Sequence, residues 1–528
     1  MKSPAARFFL QSLLGLVVLL LLLATLLLGR AAWVFRDRFP GYTVDVQIDG
    51  RASAAAPRPL QVGFGRVKIN PPIGGTNPPV WVAGFDQGRA ATGIHDDLYV
   101  VAMVLDDGYS RVGIASVDSI GMFHDDVVRI RERLRVDLKL DYVVVCATHN
   151  HSTPDLMGLW GPSPFQSGIN PAYRELVIAS AADALATAVA TLAPAEMSLF
   201  EVKVDPQGLV ADTRKPEVYD PDLRMMLFRD PKSRQVLGSL VGWANHPETP
   251  WSENTELTAD FCGVIRDALE KGIVYDGQVK LAGLGGTHVF VNGAVGGLMT
   301  THPSTTVRDV FLNEDFKTPS HDKTRALGNN LSKRLLERVK TTEVAGTTAA
   351  PLRVQARTLE LPIANHGFIL ASMLGLLDRG HSRWQNFRTE VALIQVGDAS
   401  IACIPGEIYP EIVNGGIVRA AESDFDIEPL EVPPIRDLMP GKVKFLFGLA
   451  NDEIGYIIPK SQWDVSPPHL FGANKAPYGE VNSVGPETAF LLHSAIRQLI
   501  EAANDSGSAA KPTAPHTNPV ESTASHTK

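Results

Sequence analysis

Between Arg7 and Arg30 the chain carries 22 residues without a charge, FFLQSLLGLVVLLLLLATLLLG. At about 1.5 Å of rise per residue, a helix of that length crosses a hydrocarbon core of roughly 30 Å. The run therefore divides the protein into a membrane segment, residues 1–30, and a body that must fold without it. A cleavable signal peptide has a shorter apolar stretch, about 7–15 residues ending at an A-x-A-like site. The long leucine run favours an uncleaved anchor, while GRAAW leaves cleavage as the other reading. Lys2 and Arg7 face Arg30, Arg36 and Arg38 across the span, so the positive-inside count does not set its orientation. Large domains translocate largely regardless of flanking charge, which places the body on the periplasmic or extracytoplasmic side of a single-pass protein.

The chain is rich enough in apolar residues, 45% of 528, to bury a large core. The chain's 49 basic and 58 acidic residues give a formal charge of −9, with no basic block in the body, which excludes nucleic acid as a partner. Cys146, Cys262 and Cys403 form no CxxC pair and read as small core residues. Residues 31–60 read as a linker with a leading strand from Thr43. Residues 61–501 form a single large catalytic domain, and residues 502–528, rich in Ala, Ser, Thr and Pro, read as a disordered tail. No internal repeat is visible, and nothing fixes the oligomeric state.

Within the body, β-branched runs alternate with helical ones. YVVAMVLDD, SRVGIASVD, DYVVVCAT, SLVGWANH, THVFVNGAV and ALIQVGDASIACIPGE read as strands. DDVVRIRERLRVDL, PAYRELVIASAADALATAVATL, ADFCGVIRDALEK, TRALGNNLSKRLLERVKTT and PETAFLLHSAIRQLIEAA have apolar spacing near 3.6, with starts at Asp125, Pro171 and Asp260. The alternation predicts an α/β fold with mixed sheets and helices, whose site lies beyond the carboxyl ends of strands. His149 and His151 follow one strand, His246 another, and Glu407 follows IACIP. Two imidazoles and a carboxylate suit zinc or a similar ion with an open water position. The i, i+2 spacing puts His149 and His151 on one side of an extended segment. Hydrogen-bonded structural histidines are the competing reading, because no spacing here has the specificity of HExxH.

In order along the chain, VGFGRVKINPP, TGIHDDLYVVAMVLDDG, THNHSTPD, ADTRKPEVYDPDLRMM, WANHPETPWSENTELTADF, IPGEIYPEI, GLANDEIGYIIPKSQW and YGEVNSVGPET resemble the neutral (alkaline, non-lysosomal) ceramidases. These are zinc-dependent amidases that cleave N-acyl sphingosines, and THNHSTPD is similar to their T-H-T-H-S-G-P. The resemblance implies that His149, His246, Glu407 and Tyr456 hold zinc, with His151 beside them handling protons. It further implies that Arg214 lies near the substrate amide and that Tyr478 is an active-site tyrosine. His95 reads as structural or pocket-lining. His124, His288 and His302 match no ligand of the family, and Asp118 either orients a ligand or caps a turn.

Two departures stand out. Where the family has N-x-G-D-V-S-P-N, with a catalytic serine, this chain has Asn292-Gly293-Ala294-Val295-Gly296-Gly297, so Gly296 takes the serine's place and cannot attack a carbonyl. Gly293, Gly296 and Gly297 would then present backbone N–H groups to an oxyanion, admit a bulky substrate, or form a tight turn. Thr300 and Thr301 follow, and nothing in the sequence makes either a nucleophile. The longer ceramidases also carry a β-sandwich after the catalytic region, which this chain lacks after Glu501. The resulting expectation is a membrane-anchored zinc hydrolase acting on a ceramide-like lipid through metal-activated water. An amidase or esterase with another substrate, and a catalytically silent, membrane-tethered lipid-binding protein, are the alternatives.

Overall fold

The computed structural model describes residues 4–50, 58–342 and 344–508. Residues 51–57 of the expected linker and 509–528 of the expected tail lie outside them.

Most of the runs read from the sequence become elements, and three sheets of like construction carry them. In the first, β2 (Gln61–Lys68), β3 (Tyr99–Asp106) and β4 (Arg111–Val117) form an antiparallel meander. Helix α2 (His124–Arg133) then crosses over to β5 (Tyr142–Ala147), which pairs in parallel with β4 and is followed by α3 (Pro171–Ala190). The second sheet repeats the scheme. A meander of β6 (Glu196–Val202), β7 (Leu223–Arg229) and β8 (Val236–Trp243) leads through α4 (Asp260–Lys271) to β9 (Thr287–Asn292), parallel to β8, and on to α5 (His321–Thr341).

The third sheet is built from β10 (Leu352–Pro362), β11 (Asn386–Val396) and β12 (Ala399–Cys403), with β13 (Val443–Phe447) parallel to β12 and α7 (Thr488–Ser508) after it. A short helix, α6 (His366–Leu374), is inserted between β10 and β11. The repeat that is invisible in the sequence is therefore present in the topology: the units share strand order and not residues.

Burial explains why the sheets stay together. Along β5, Tyr142, Val144 and Cys146 enter a core shared by all three sheets, whereas Val143 and Val145 face α2 and α3. The period-2 alternation of a strand thus fills two cores at once. The second and third sheets do the same, with α4 and α5 covering one outer face and α7 the other. Helix ends are capped as their sequences dictate. Asn170 accepts from the N–H groups of Ala172 and Tyr173 ahead of Pro171, and Ser320 accepts from that of Lys323.

Several boundaries differ from the sequence reading. ALIQVGDASIACIPGE is a hairpin of β11 and β12, not one strand, because Gly397 takes a positive φ of 55° at the turn. DDVVRIRERLRVDL stops being α-helical at Arg133, and Val136–Leu138 forms a separate 3-10 turn. Helix α7 runs past Ala502 to Ser508. Within the expected linker, β1 (Asp45–Ile48) joins the third sheet beside β10. The N-terminal run forms α1 (Pro4–Val34), and its stretch Arg7–Val34 is long and apolar enough to cross a membrane.

Candidate metal centre

The ends of β4, β5 and β8 and the segment after β12 converge at one place. Beyond β5 the chain is threaded between its neighbours: Thr148 N–H donates to Val117 O, Asn150 N–H to Ser119 O, and His151 N–H to Pro247 O. His149 takes a left-handed conformation with φ of 66°, unusual for a residue other than glycine and the kind of strain that collects at functional sites. Its Nδ1–H donates to Ile120 O at 2.8 Å. After β8, His246 donates its Nδ1–H to Met299 O at 2.7 Å. A carbonyl only accepts, so in both residues the proton sits on Nδ1 and the Nε2 lone pair is left free.

Those lone pairs meet. Nε2 of His149 lies 3.4 Å from Nε2 of His151 and 3.3 Å from Oε2 of Glu407, which is itself 3.1 Å from Nε2 of His246. The three histidines form the one group of potential metal ligands found among the described residues, and all are buried. Acceptors aimed at one point call for a cation. Four ligands at about 2.0–2.1 Å from zinc in a tetrahedron stand about 3.3–3.4 Å apart, close to the separations observed. The residues present thus fit a divalent ion, with His151 in ligand range as well as the expected His149, His246 and Glu407.

Tyr456 enters through backbone pairing, since Glu407–Ile408 and Tyr456–Ile457 form a short parallel ladder that places the two side by side. Burial and the charge of Glu407 push its phenol well above the usual tyrosine range. Burial works against the charge of Glu407, but the facing imidazoles of His149 and His246 outweigh it and hold the carboxyl well below the usual carboxylate range. Burial lowers the pKa of His151.

Around this cluster stand residues that the sequence reading passed over. Glu248 Oε2 lies 3.0 Å from His151 Nδ1, near it but off the hydrogen-bond axis. Burial opposes its charge and His151 more than offsets that, bringing its pKa down to about 2. Thr300, which the sequence reading did weigh without finding it a role, lines the cavity beside it. Glu453 accepts from Gly455 N–H with one oxygen, and its other oxygen is buried without a partner. Burial and the charge of Glu407 push its pKa well above the usual carboxylate range, and it faces the cavity. Glu248 had a signal, an i, i+2 spacing from His246 like that of His149 and His151. Glu453 had none.

A cavity of about 500 Å³ opens from the cluster. Histidines and carboxyls line one end, and Phe123, Met157, Trp160, Phe368, Leu377 and Phe387 line the rest. Tyr478 reaches its rim, half exposed, with its ring centroid 6.0 Å from that of Tyr456. Arg214 is not brought to the cluster. Its guanidinium makes two 2.7 Å bonds to Glu480 and one of 2.9 Å to Gln462 O, which turn it toward that carboxylate and away from the metal-centre cavity, whose lining does not include it. It pins the turn that carries Tyr478.

The glycine segment is also placed elsewhere. Gly296 is buried against Ile408 and Tyr409, and neither it nor Gly293 or Gly297 lines the cavity, which leaves the tight turn among the readings offered for them. Asp118 holds Arg266 at 2.6 Å and accepts from Tyr99 N–H, so it braces the fold and touches no ligand. His95 stacks on His321 in a separate surface cavity. His288 bonds Ser239 and Gly285 O, His124 faces Glu390, and His302 bonds Ser304 at the cavity margin.

No family model and no curated protein sequence matches the chain. Solved structures do. The crystal structure of neutral ceramidase from Pseudomonas aeruginosa superposes with a TM-score of 0.63 at 15% identity, covering 85% of this chain and 75% of that one. A structure described as ceramidase complexed with C2 gives 0.62 at 15% identity, covering 85% and 76%. At that identity the likeness is one of architecture, and the chain shares the mixed α/β fold of neutral ceramidase.

Proposed function

We propose that the protein is a membrane-anchored, zinc-dependent hydrolase of a linear amide whose substrate is a ceramide-like N-acyl lipid. The observation that carries this reading is the convergence of His149, His151, His246 and Glu407 in a cavity whose other walls are largely apolar. Polar acceptors gathered there serve a reaction on a molecule with a long apolar part. The shared fold with neutral ceramidase supports the choice of substrate class.

His149, His246 and Glu407 would hold the ion, with Tyr456 completing its set and His151 left free beside it. A bound zinc ion polarises a carbonyl and lowers the pKa of a coordinated water from 15.7 to about 7. The chain's own groups do the rest. Phe123, Phe368 and Phe387 exclude bulk water around the acyl chain and bring the amide to the polar end. His151, backed by Glu248, accepts a proton from the attacking water as its oxygen adds to the carbonyl carbon. The imidazolium returns that proton to the amine nitrogen as the C–N bond breaks, leaving a carboxylic acid and an amine, and the acid then passes its proton to the amine to give carboxylate and ammonium. No serine is needed, which agrees with Gly296.

The test is metal content by mass spectrometry on the full chain and on a His149→Ala, His246→Ala variant, together with hydrolysis of N-acyl lipids and simple esters. Near one zinc per chain, lost in the variant, with turnover of N-acyl lipids, is the expected result. Turnover of esters alone would replace the substrate. Absence of metal even after zinc is supplied would end the hydrolase reading in favour of lipid binding.

A further inference from the structure

Helix α6 is apolar on every side, HGFILASML, yet only Ser372 in it is buried. Asn365 starts it by accepting from Phe368 N–H, and Gly375 ends it in the left-handed conformation. Phe368 lines the metal-centre cavity. Ile369 and Met373 pack on Ala31, Val34 and Phe35 at the end of α1. Leu370 and Leu374 are left 59% and 49% exposed. A single exposed leucine needs no explanation, but a patch of this kind marks a contact surface.

Two more large side chains extend the patch. Trp384, 57% exposed, lies 4.9 Å from Phe35, and Trp33, 60% exposed, stacks under Arg36 at 3.6 Å. Height along α1 identifies the occupant. Arg30 is the first charge after the apolar run, so it marks where headgroups begin, and its Nε–H donates to Met373 O at 2.9 Å. That bond fixes α6 at the level of Arg30. Ion pairs of Arg38 with Asp378 and of Arg388 with Asp37 hold the junction in place. Tryptophan and arginine at that level are the residues that favour a membrane interface.

We propose that α6, with Trp33 and Trp384, lies in the interfacial layer of the bilayer that α1 spans, so that Phe368 gives the cavity a wall that faces lipid. The partner is the lipid surface itself, and its molecules reach the metal centre along α6 without passing through water. This rests on reading α1 as a membrane span.

Nitroxide labels on the full chain test the two separately. Leu20→Cys reports on the span, Leu374→Cys and Leu370→Cys on α6, and Val136→Cys, 94% exposed, on water. The native Cys146, Cys262 and Cys403 are buried and do not compete for label. In vesicles of phosphatidylcholine with some phosphatidylglycerol, collisions with oxygen are compared with those of a water-soluble nickel chelate. Labels at 370 and 374 should favour oxygen as the one at 20 does, and the label at 136 should favour nickel. A lipid-like label at 20 with water-like labels at 370 and 374 overturns the proposal and leaves the anchor standing. A water-like label at 20 overturns both. Spin–spin broadening at 374 would assign the patch to a second copy of the chain and overturn the proposal equally.

Discussion

Strands β8 and β9 lie side by side and end level, with Trp243 opposite Asn292, yet their continuations are used in opposite ways. After β8 the chain turns His246 and Glu248 into the cavity. After β9 the next residues, Gly293 to Gly297, turn nothing in, and the chain reaches the cavity wall only further on, at Leu298, Thr300 and His302. Asn292 spends its side-chain N–H groups on Thr148 O and Asn245 O, at 2.9 and 2.8 Å, tying the ends of β5 and β8 together. Gly296 then packs so closely on Tyr409 that an added Cβ would sit 2.3 Å from Cδ1 of the ring and 2.6 Å from the backbone nitrogen. One strand end supplies chemistry and its neighbour supplies the scaffold that aims it. A side chain gained or lost should therefore register as activity on the first and as stability on the second.

The largest effect belongs to the chemical side. The His149→Ala, His246→Ala variant is expected to fall from near one metal ion per chain to none, with turnover abolished and the circular dichroism spectrum kept. On the scaffold side, Asn292→Ala strands two buried carbonyls at a cost of about 1–3 kcal/mol each, and urea unfolding should show that loss while metal content stays. Gly296→Ser, which restores the hydroxyl of the ceramidase motif, is expected to lower stability by about 1–3 kcal/mol through overpacking and to add no turnover. A gain in activity there would break the comparison. The smallest change is Glu248→Gln, which leaves the ions' ligands in place and should reduce metal affinity or turnover by about 10- to 100-fold, roughly 1.4–2.8 kcal/mol. Its thermal midpoint should stay near the parent's.

The sequence made the strands around the site readable because β4, β5, β8, β9 and β12 are short apolar runs bounded by turns, and it placed His149, His246 and Glu407 beyond the ends of β5, β8 and β12. β7, LRMMLFR, was passed over: it is buried on both faces, so it shows no alternation, and its methionines favour helix as much as strand. β10 does alternate, and that signal went unused. Arg214 illustrates a different limit. Its neighbours in the chain match the ceramidase motif, but what an arginine does depends on which carboxylate is in reach, and Glu480 lies 266 residues away. The threefold scheme was hidden for a similar reason, since pairing order leaves no mark on composition once the side chains of three units have diverged.

That threefold scheme also sets a clock. Each meander forms from contacts close in sequence, which cost little chain entropy, whereas the contact between His246 and Glu407 closes a loop of 161 residues. The ligand set spans all three units, with histidines from the first two and Glu407 from the third. A chain emerging from the ribosome can thus complete its first two sheets and still lack the carboxylate of the candidate set. On the proposed reading, full metal occupancy would wait for the last third of the protein and would report that synthesis and folding are both finished.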